Sequence, residues 1–207
     1  MQKIMFNDRF LLTKAVLEGR KTQTRMFVKY PIEVRGEGVG YYHYYRNECC
    51  IELRDENEFP FSPEAYVLPR YGIGEAVAVA QSYKDASVHF EDIAKEANIL
   101  NIKSKCKGYK NKMFVKPDLM PHQIKITDVR LQRLQEITDE ECHLEGIEKE
   151  ERTDGGYNYI FFDAKRELYI RERTPRDAYA RLIDALSGKG TWESNPYVFA
   201  YDFDLVK

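Results

Sequence analysis

The clearest pattern of apolar and polar positions lies near the C-terminus, in the segment NPYVFAYDFDLVK. Side chains of a strand point alternately to the two faces of a sheet, so residues two apart share a face. Every second position here is aromatic or aliphatic: Tyr197, Phe199, Tyr201, Phe203 and Leu205. The pattern predicts a half-buried strand.

A shorter strand is predicted in YGIGEAVAVAQSY. Ile73, Val77 and Val79 alternate there with alanines, behind a Gly-x-Gly turn. Such alternation after a turn signal is typical of a strand that packs one face on a core. We therefore predict a strand in which Ile73 shares one face with the two valines.

A third strand is predicted in HQIKITDVRLQRL, but its apolar residues change parity. Ile124 and Ile126 fall on even positions, whereas Val129 falls on an odd one. One extra residue in a strand shifts all later side chains to the opposite face. We therefore predict a β-bulge near Thr127 or Asp128.

Helical spacing predicts a first helix over residues 9–18, where Leu12, Ala15 and Val16 fall on one face. Gly19 is suited to end this helix, because glycine readily adopts the left-handed conformation found after many helices. The segment EGRKTQTR spans this helix end and crowds two threonines, a lysine and an arginine together. A helix terminus alone does not account for that cluster.

Two later helices are marked by their first turns. In ITDEEC, Thr138 and Glu141 have the spacing of a capping box, in which each side chain binds the other residue's backbone N–H. In TPRDAYARLIDALSG, Thr174 and Asp177 have the same spacing. Gly146 is placed to end the first of these helices.

Residues 31–70 differ in kind from the rest of the chain. Glycines and prolines break the pattern in VRGEGVGYYHYYRNECC and FPFSPEAYVLPR. We interpret residues 31–70 as an insertion that contains a β-hairpin around residues 41–53. Further along, a lysine-rich stretch indicates a helix near residues 90–100.

Short helices between widely separated strands predict the α+β class and a small mixed β-barrel. Strands that alternated with long helices would instead indicate a doubly wound sheet. Neither GxGxxG nor GxxxxGK[ST] occurs in the sequence. Nothing therefore indicates a dinucleotide fold or a P-loop.

Composition narrows the class of protein. The chain has 207 residues, of which 43% are hydrophobic and 32% charged, as expected for a soluble globular protein. It has no apolar run of the roughly 18 residues that a membrane span needs and no signal-peptide pattern, so we expect a cytoplasmic protein with no membrane contact. The net charge of −2 excludes a generally basic nucleic-acid coat, so any nucleic-acid role must use a local patch or pocket.

The four cysteines and four histidines show no metal-binding or disulfide pattern. Cys49 and Cys50 are adjacent, whereas Cys106 and Cys142 stand apart. Such spacing fits neither a CxxC motif nor a zinc site, and no HExxH occurs. We expect no metal and no cofactor.

Four segments together resemble the ASCH-domain family of the PUA-like superfamily. The first is the G-x-K-x-x-T motif formed by Gly19, Lys21 and Thr24, which directly follows a helix. The others are YGIGEAVAV, IKITDVRLQRLQEITDEECHLEG and the ending GTWESNPYVFAYDFDL. The resemblance implies a single domain over residues 1–207, with insertions at about 31–70 and 84–116. It also implies a pseudo-barrel whose cleft binds RNA, a nucleobase or a nucleoside.

The same resemblance implies a catalytic alternative. Some small bacterial ASCH proteins are amidohydrolases that remove the acetyl group of N4-acetylcytidine with a lysine, a threonine and a glutamate. Lys21 and Thr24 match the first two by spacing, and Glu145 aligns with the glutamate. One departure concerns the family's arginine, because Met26 stands at its position and Arg25 lies one residue earlier.

Several roles are open for these residues. A buried lysine can act as nucleophile or base, Thr24 as donor or nucleophile, and Glu145 as proton carrier or anchor for the substrate amine. In a regular strand Lys21 and Thr24 would face opposite sides, so their convergence requires Lys21 to lie in the turn before the strand. Alternatively, Lys21 and Arg25 are solvated cations after a helix end.

Further binding residues are predicted with equally open alternatives. Trp192 either stacks on a base, with Lys189 contacting a phosphate, or closes the core. The aromatic run YYHYYR at residues 41–46 either stacks on single-stranded RNA or packs across its own hairpin. In a further alternative, the insertion at residues 31–70 binds a protein partner and the chain is an interaction module.

Overall fold

The computed structural model describes residues 1–31, 33, 34, 36–87 and 106–206. Within these ranges the chain is rich in strands and has few helices, so the mixed α+β class is confirmed. The described strands form separate sheets, and none of these sheets closes into a barrel. The predicted helix near residues 90–100 lies outside the described residues.

A five-stranded mixed sheet forms the centre of the molecule. In spatial order its strands are β1 (Gln2–Ile4), β8 (Ala76–Val79), β9 (Gln123–Arg133), β13 (Tyr197–Val206) and β2 (Gln23–Phe27). The β1–β8 pair is parallel, and the other pairs are antiparallel. The two strands that dominated the sequence pattern, β9 and β13, are therefore central neighbours.

The predicted β-bulge is present on β9. Phe203 pairs with Ile126 and Asp202 pairs with Asp128, which leaves Thr127 without a partner on β13. Aliphatic side chains from both halves of β9 therefore share one face of the sheet, and Asp128 faces the opposite side. The prediction from residue parity is confirmed at its first candidate position.

Smaller sheets surround the central one. They comprise the pair β3 (Glu33–Val34) and β4 (Glu37–Gly38), the sheet β5 (Tyr41–Tyr45), β6 (Cys50–Arg54) and β7 (Pro60–Val67), and the sheet β10 (Glu148–Glu151), β11 (Tyr157–Asp163) and β12 (Leu168–Glu172). The hairpin predicted around residues 41–53 is confirmed as β5 and β6. Strand β7 was not predicted, because prolines were taken as breakers. Pro60 is tolerated since it begins an edge strand.

The described helices are mostly short, and the second and third begin where their capping residues predict, whereas the first begins three residues later than predicted, after a 3₁₀ turn. They are α1 (Leu12–Leu17), α2 (Asp139–Leu144), α3 (Pro175–Ser187) and α4 (Thr191–Ser194). Single 3₁₀ turns occupy Asp8–Phe10, Lys107–Tyr109, Lys112–Phe114, Pro117–Leu119 and Leu134–Glu136. The capping box of Thr138 with Glu141 is confirmed, and Thr174 accepts a hydrogen bond from the Asp177 N–H.

Two expectations about the strands were wrong. Ile73 is 68% exposed, because β8 begins only at Ala76 and Ile73 lies in the preceding turn. On β13, Val198 and Ala200 are buried in addition to the predicted aromatic face. Both faces of this strand are therefore buried in its first half.

One hydrophobic core joins the central sheet to α1, α2, α3 and strand β11. A smaller cluster lies beside β8, around Tyr83, Val115 and Met120. In the aromatic run at residues 41–46, Tyr44 stacks on Tyr197 with ring centroids 4.1 Å apart. Across the described ranges, none of the helices has the length and apolar character needed to cross a membrane.

Candidate functional site

The turn between α1 and β2 carries Lys21 into the interior. The Lys21 backbone N–H donates to Ala15 O at 3.0 Å, and the Thr22 N–H donates to Leu144 O at the same distance. These bonds hold the start of β2 against the last turn of α2. Glu145 follows that turn directly, so the two chain segments bring Lys21 and Glu145 together.

Lys21 is buried and its ammonium group is saturated with acceptors. The side chain is 2% exposed, and Nζ lies 2.5 Å from Glu145 Oε2. Nζ also donates to the Glu145 backbone oxygen at 2.9 Å and to Gln23 O at 2.7 Å. An ammonium has three donors, so all are used. A buried charge of this kind costs several kcal/mol unless its partners compensate for lost water.

Arg25 joins the same carboxylate from β2. Its Nη1 donates to Glu145 Oε1 at 3.0 Å and also to the Gln23 side chain, and its Nη2 donates to Glu141 Oε2 at 2.7 Å. The Tyr179 hydroxyl of α3 lies 3.4 Å from Glu145 Oε1. Arg25 Nε is buried and finds no hydrogen-bond partner among the described residues. Glu145 is therefore the centre of a buried cluster with one donor to spare.

The cluster continues to the surface across β13 and β9. Arg130 donates to Asp202 at 2.7 Å, to Asp128 at 2.8 Å and to Glu141 at 2.9 Å. The exposed fraction of the side chain rises from 1% for Arg25 to 37% for Arg130. Charged groups therefore form a continuous path from the interior to solvent on one face of the sheet.

Burial sets the chemistry of this cluster. Loss of water around Lys21 lowers the pKa of its ammonium, although the Glu145 carboxylate acts in the opposite direction. Burial also raises the pKa of Tyr179 well above its ordinary value, with Glu145 adding to the effect. Tyr179 therefore keeps its proton and acts as a hydrogen-bond donor. Burial makes the proton of Lys21 easier to release.

Thr24 is not brought together with Lys21 and Glu145. Thr24 pairs in register with Tyr201, and Arg25 pairs with Ala200. Opposite partners share a face, so Thr24 lies on the side of the sheet away from the charged cluster. Lys21 does lie in the turn, as convergence required, but the side chains of β2 alternate regularly from there.

The same alternation decides the position of the arginine. Arg25 faces Glu145, whereas Met26 faces the opposite side with its register partner Phe199. Met26 lines a separate apolar pocket with Phe27, Leu68 and other residues. In this chain, the residue directly after Thr24 supplies the arginine of the cluster.

The remaining predicted residues lie at different distances from the cluster. Gly19 has a φ of +72° and ends α1 as predicted, but it is exposed. Trp192 is partly buried against Tyr179, with ring centroids 6.1 Å apart, so it packs behind the cluster and supports the core alternative. Lys189 is exposed and lines a different cavity, next to Arg9.

A cavity of about 190 Å³ lies next to the Lys21–Glu145 pair. Gly146 lines it and has a φ of +105°, and a Cβ at this position would lie 3.9 Å from the Lys21 side chain. Aromatic residues form much of the remaining wall, and its charged lining residues are Lys14, Arg20 and Glu148. The aromatic lining residues are Phe10, Phe161, Phe162 and Tyr169. Gly146 and Ala15, whose backbone oxygen accepts the Lys21 N–H, connect the cavity to the Lys21–Glu145 pair.

Sequence reasoning missed several members of the cluster. Gln23, Arg130, Glu141, Asp202 and Tyr179 were not predicted as site residues. One signal was present, because Lys21, Gln23 and Arg25 are polar at every second position at the start of a strand. No described group of three or more His, Cys, Asp or Glu side chains is arranged to hold a metal.

Comparisons of this chain with protein-family models, curated proteins and solved structures gave no match.

Proposed function

We propose that this chain is an ASCH-type domain with a PUA-like pseudo-barrel fold, and that it recognises RNA, a nucleobase or a nucleoside in the cavity beside Gly146. One observation carries the proposal. A cavity with an aromatic wall is lined by Arg20 and Gly146, the chain neighbours of Lys21 and Glu145, and these two belong to a buried set of hydrogen-bonding charges. Aromatic rings stack on bases, and polar groups at the end of a pocket select their edges.

The cavity offers aromatic rings on which a base can stack. Phe162 and Tyr169 are register partners on β11 and β12, and their ring centroids lie 5.0 Å apart. Tyr169 is 44% exposed, so its ring is accessible to a ligand without disturbing the core. Stacking of one base on such a ring contributes about 1–3 kcal/mol.

A second candidate function, amide hydrolysis of N4-acetylcytidine or a related nucleoside, is favoured by the Lys21–Glu145 contact. Their 2.5 Å separation in a buried site, together with the lowered pKa of Lys21, suits a base or nucleophile with an adjacent proton acceptor. Thr24 lies on the other face of the sheet, so this version of the chemistry uses Lys21 and Glu145 alone.

The experiment is a calorimetric titration with cytidine and N4-acetylcytidine, followed by chromatography of the same mixtures. We expect Tyr169→Ala to weaken nucleoside binding about 5- to 150-fold, as loss of one stacking contact predicts. Lys125→Ala is the matched control, because Lys125 is exposed on β9 and lines neither cavity. Equal affinity of wild type and Tyr169→Ala, or no binding at all, would refute recognition in this cavity.

Chromatography separates the two functions. Release of cytidine by wild type and by Tyr169→Ala at high substrate, but not by Glu145→Gln, would identify the protein as an amidohydrolase. Binding without release of cytidine would exclude hydrolysis of this substrate and leave recognition as the function.

A further inference from the structure

A further cavity, of about 410 Å³, shares the lining residue Phe161 with the aromatic cavity beside Gly146. It collects basic residues from the 3₁₀ turn before α1, from the turn after β11, and from α3 and the loop that follows. Its charged lining residues are Arg9, Arg166, Arg181, Lys189, Asp163 and Asp184. Four cations against two carboxylates leave a local charge of +2, in a chain whose net charge is −2.

The carboxylate of Asp163 is committed to holding Arg9. Arg9 Nε lies 2.8 Å from Oδ1 and Nη2 lies 2.6 Å from Oδ2, so the pair is bidentate. The Asp163 side chain is only 2% exposed, whereas that of Arg9 is 34% exposed. Arg9 Nη1 stays outside the pair. The guanidinium is thus fixed in orientation from behind, with one nitrogen left for the cavity.

The second carboxylate is also used by the protein itself. Asp184 accepts hydrogen bonds from the backbone N–H of Gly190 at 3.1 Å and of Trp192 at 2.9 Å. These bonds fix the loop that carries Lys189. Arg181 is held through Nη1 by Glu172 at 2.6 Å, which leaves its other nitrogens free of that pair. Both lining carboxylates therefore position donors, and the cavity retains an excess of positive charge.

We propose that this basic cavity binds phosphate groups. Guanidinium forks match the geometry of phosphate oxygens, and an exposed lysine adds a mobile point charge. The same chemistry occurs in the RNA backbone and in free nucleotides. The choice of RNA rests on the proposed function. A base bound in the aromatic cavity would bring the RNA backbone next to Phe161, which also lines the basic cavity. Single-strand binding sites combine such a cationic groove with aromatic stacking.

The test uses two phosphate probes and the full chain. Inorganic pyrophosphate represents the free source, and a single-stranded RNA of about eight nucleotides represents the backbone source. The variants are Lys189→Ala and Arg181→Ala, with Lys189→Arg as the charge-preserving variant and Lys125→Ala as the distant control. Arg9 is left unchanged, because its removal would strand the buried Asp163 carboxylate.

We expect each alanine variant to weaken pyrophosphate binding about two- to fivefold, as loss of one exposed ion pair predicts. For RNA, titration over a series of KCl concentrations should show a salt slope reduced by about 0.7 per variant. Lys189→Arg and Lys125→Ala should keep wild-type values.

The outcomes distinguish the RNA backbone from a free nucleotide as the source of the phosphate, and they test the aromatic cavity and the basic cavity separately. A changed RNA slope supports binding of the RNA backbone, whereas pyrophosphate binding with an unchanged slope supports a free nucleotide as the source. Unchanged affinities for both probes in both alanine variants would overturn the phosphate site. Cytidine carries no phosphate, so its binding tests the aromatic cavity alone. Failure of one proposal therefore leaves the other measurable.

Discussion

Replacement of Lys21 by methionine tests whether the buried charges cooperate. Methionine keeps the length of the stem but removes all three hydrogen bonds made by Nζ. Glu145 would keep its hydrogen bonds with Arg25 and Tyr179. Its Oε2, its backbone oxygen and the backbone oxygen of Gln23 would each lose the bond from Lys21. Removing one partner of a buried ion pair costs about 3–5 kcal/mol, so we expect the free energy of unfolding to fall by that amount.

The companion variant is Glu145→Gln, which keeps the side-chain shape and removes the negative charge. It leaves Lys21 and Arg25 facing a neutral amide, and we again expect a loss of about 3–5 kcal/mol. In the double variant neither charge of the Lys21–Glu145 pair is left alone. The double loss should therefore be smaller than the sum of the single losses, by about 0.5–3 kcal/mol.

Urea unfolding followed by fluorescence measures all four proteins. The sole tryptophan, Trp192, packs on Tyr179 and so reports on the structure around Glu145. Lys125→Met provides the control, because the same substitution at an exposed site should stay within about 0.5 kcal/mol of wild type. Strictly additive losses, or a loss below about 1 kcal/mol for Lys21→Met, would refute the coupling of Lys21 with Glu145.

Three further predictions concern single residues. Hydrogen bonds from Arg9 lower the pKa of Asp163 from 3.8 to about 2, so the native state binds this proton less tightly than the unfolded state. The resulting stability is present above pH 3.8 and is lost as the pH falls towards 2. Acid titration of the unfolding free energy should show this loss in wild type and not in Asp163→Asn. Burial raises the pKa of the Cys142 thiol to about 12, so mass spectrometry after alkylation should show Cys142 unmodified in the native protein and modified in urea. Gly146→Ala should lower the free energy of unfolding by about 1–3 kcal/mol, because φ is +105° and a Cβ would lie 3.4 Å from the Leu12 side chain. Thermal or urea unfolding measures this loss. Wild-type stability in this variant would contradict the assigned backbone conformation.

Local signals in the sequence predicted local features of the fold. The spacing of Thr138 and Glu141 located the start of α2, because a capping box involves only residues three apart. The change of parity on β9 located the bulge, because each strand residue reports its own face. Lys21 and Glu145 are in contact in the structure, but their assignment to one site rested on a resemblance and their role stays a prediction.

Features that depend on the register between strands were not predictable. Arg130 and Asp202 join the cluster only because β13 places Asp202 beside β2 and β9 together. Thr24 lies away from the cluster and Arg25 lies within it for a similar reason, since the face of a residue depends on where its strand begins. The sheet of β10, β11 and β12 escaped notice because β10, with the sequence EKEE, has no apolar alternation. A protein partner for residues 31–70 stays a prediction.

The bulge at Thr127 decides how β9 responds to a change in its length. A strand assigns its side chains alternately to two faces, and the bulge holds one extra residue between Ile126 and Asp128 without a partner on β13. Deletion of Thr127 would make Asp128 follow Ile126 directly, so the strand would alternate regularly and Asp128, Val129 and Arg130 would all keep their faces. Substitution at Thr127 would leave these faces unchanged as well. Both the core and the charged surface therefore tolerate the loss of this residue, so homologous chains should vary here in length as well as in residue type.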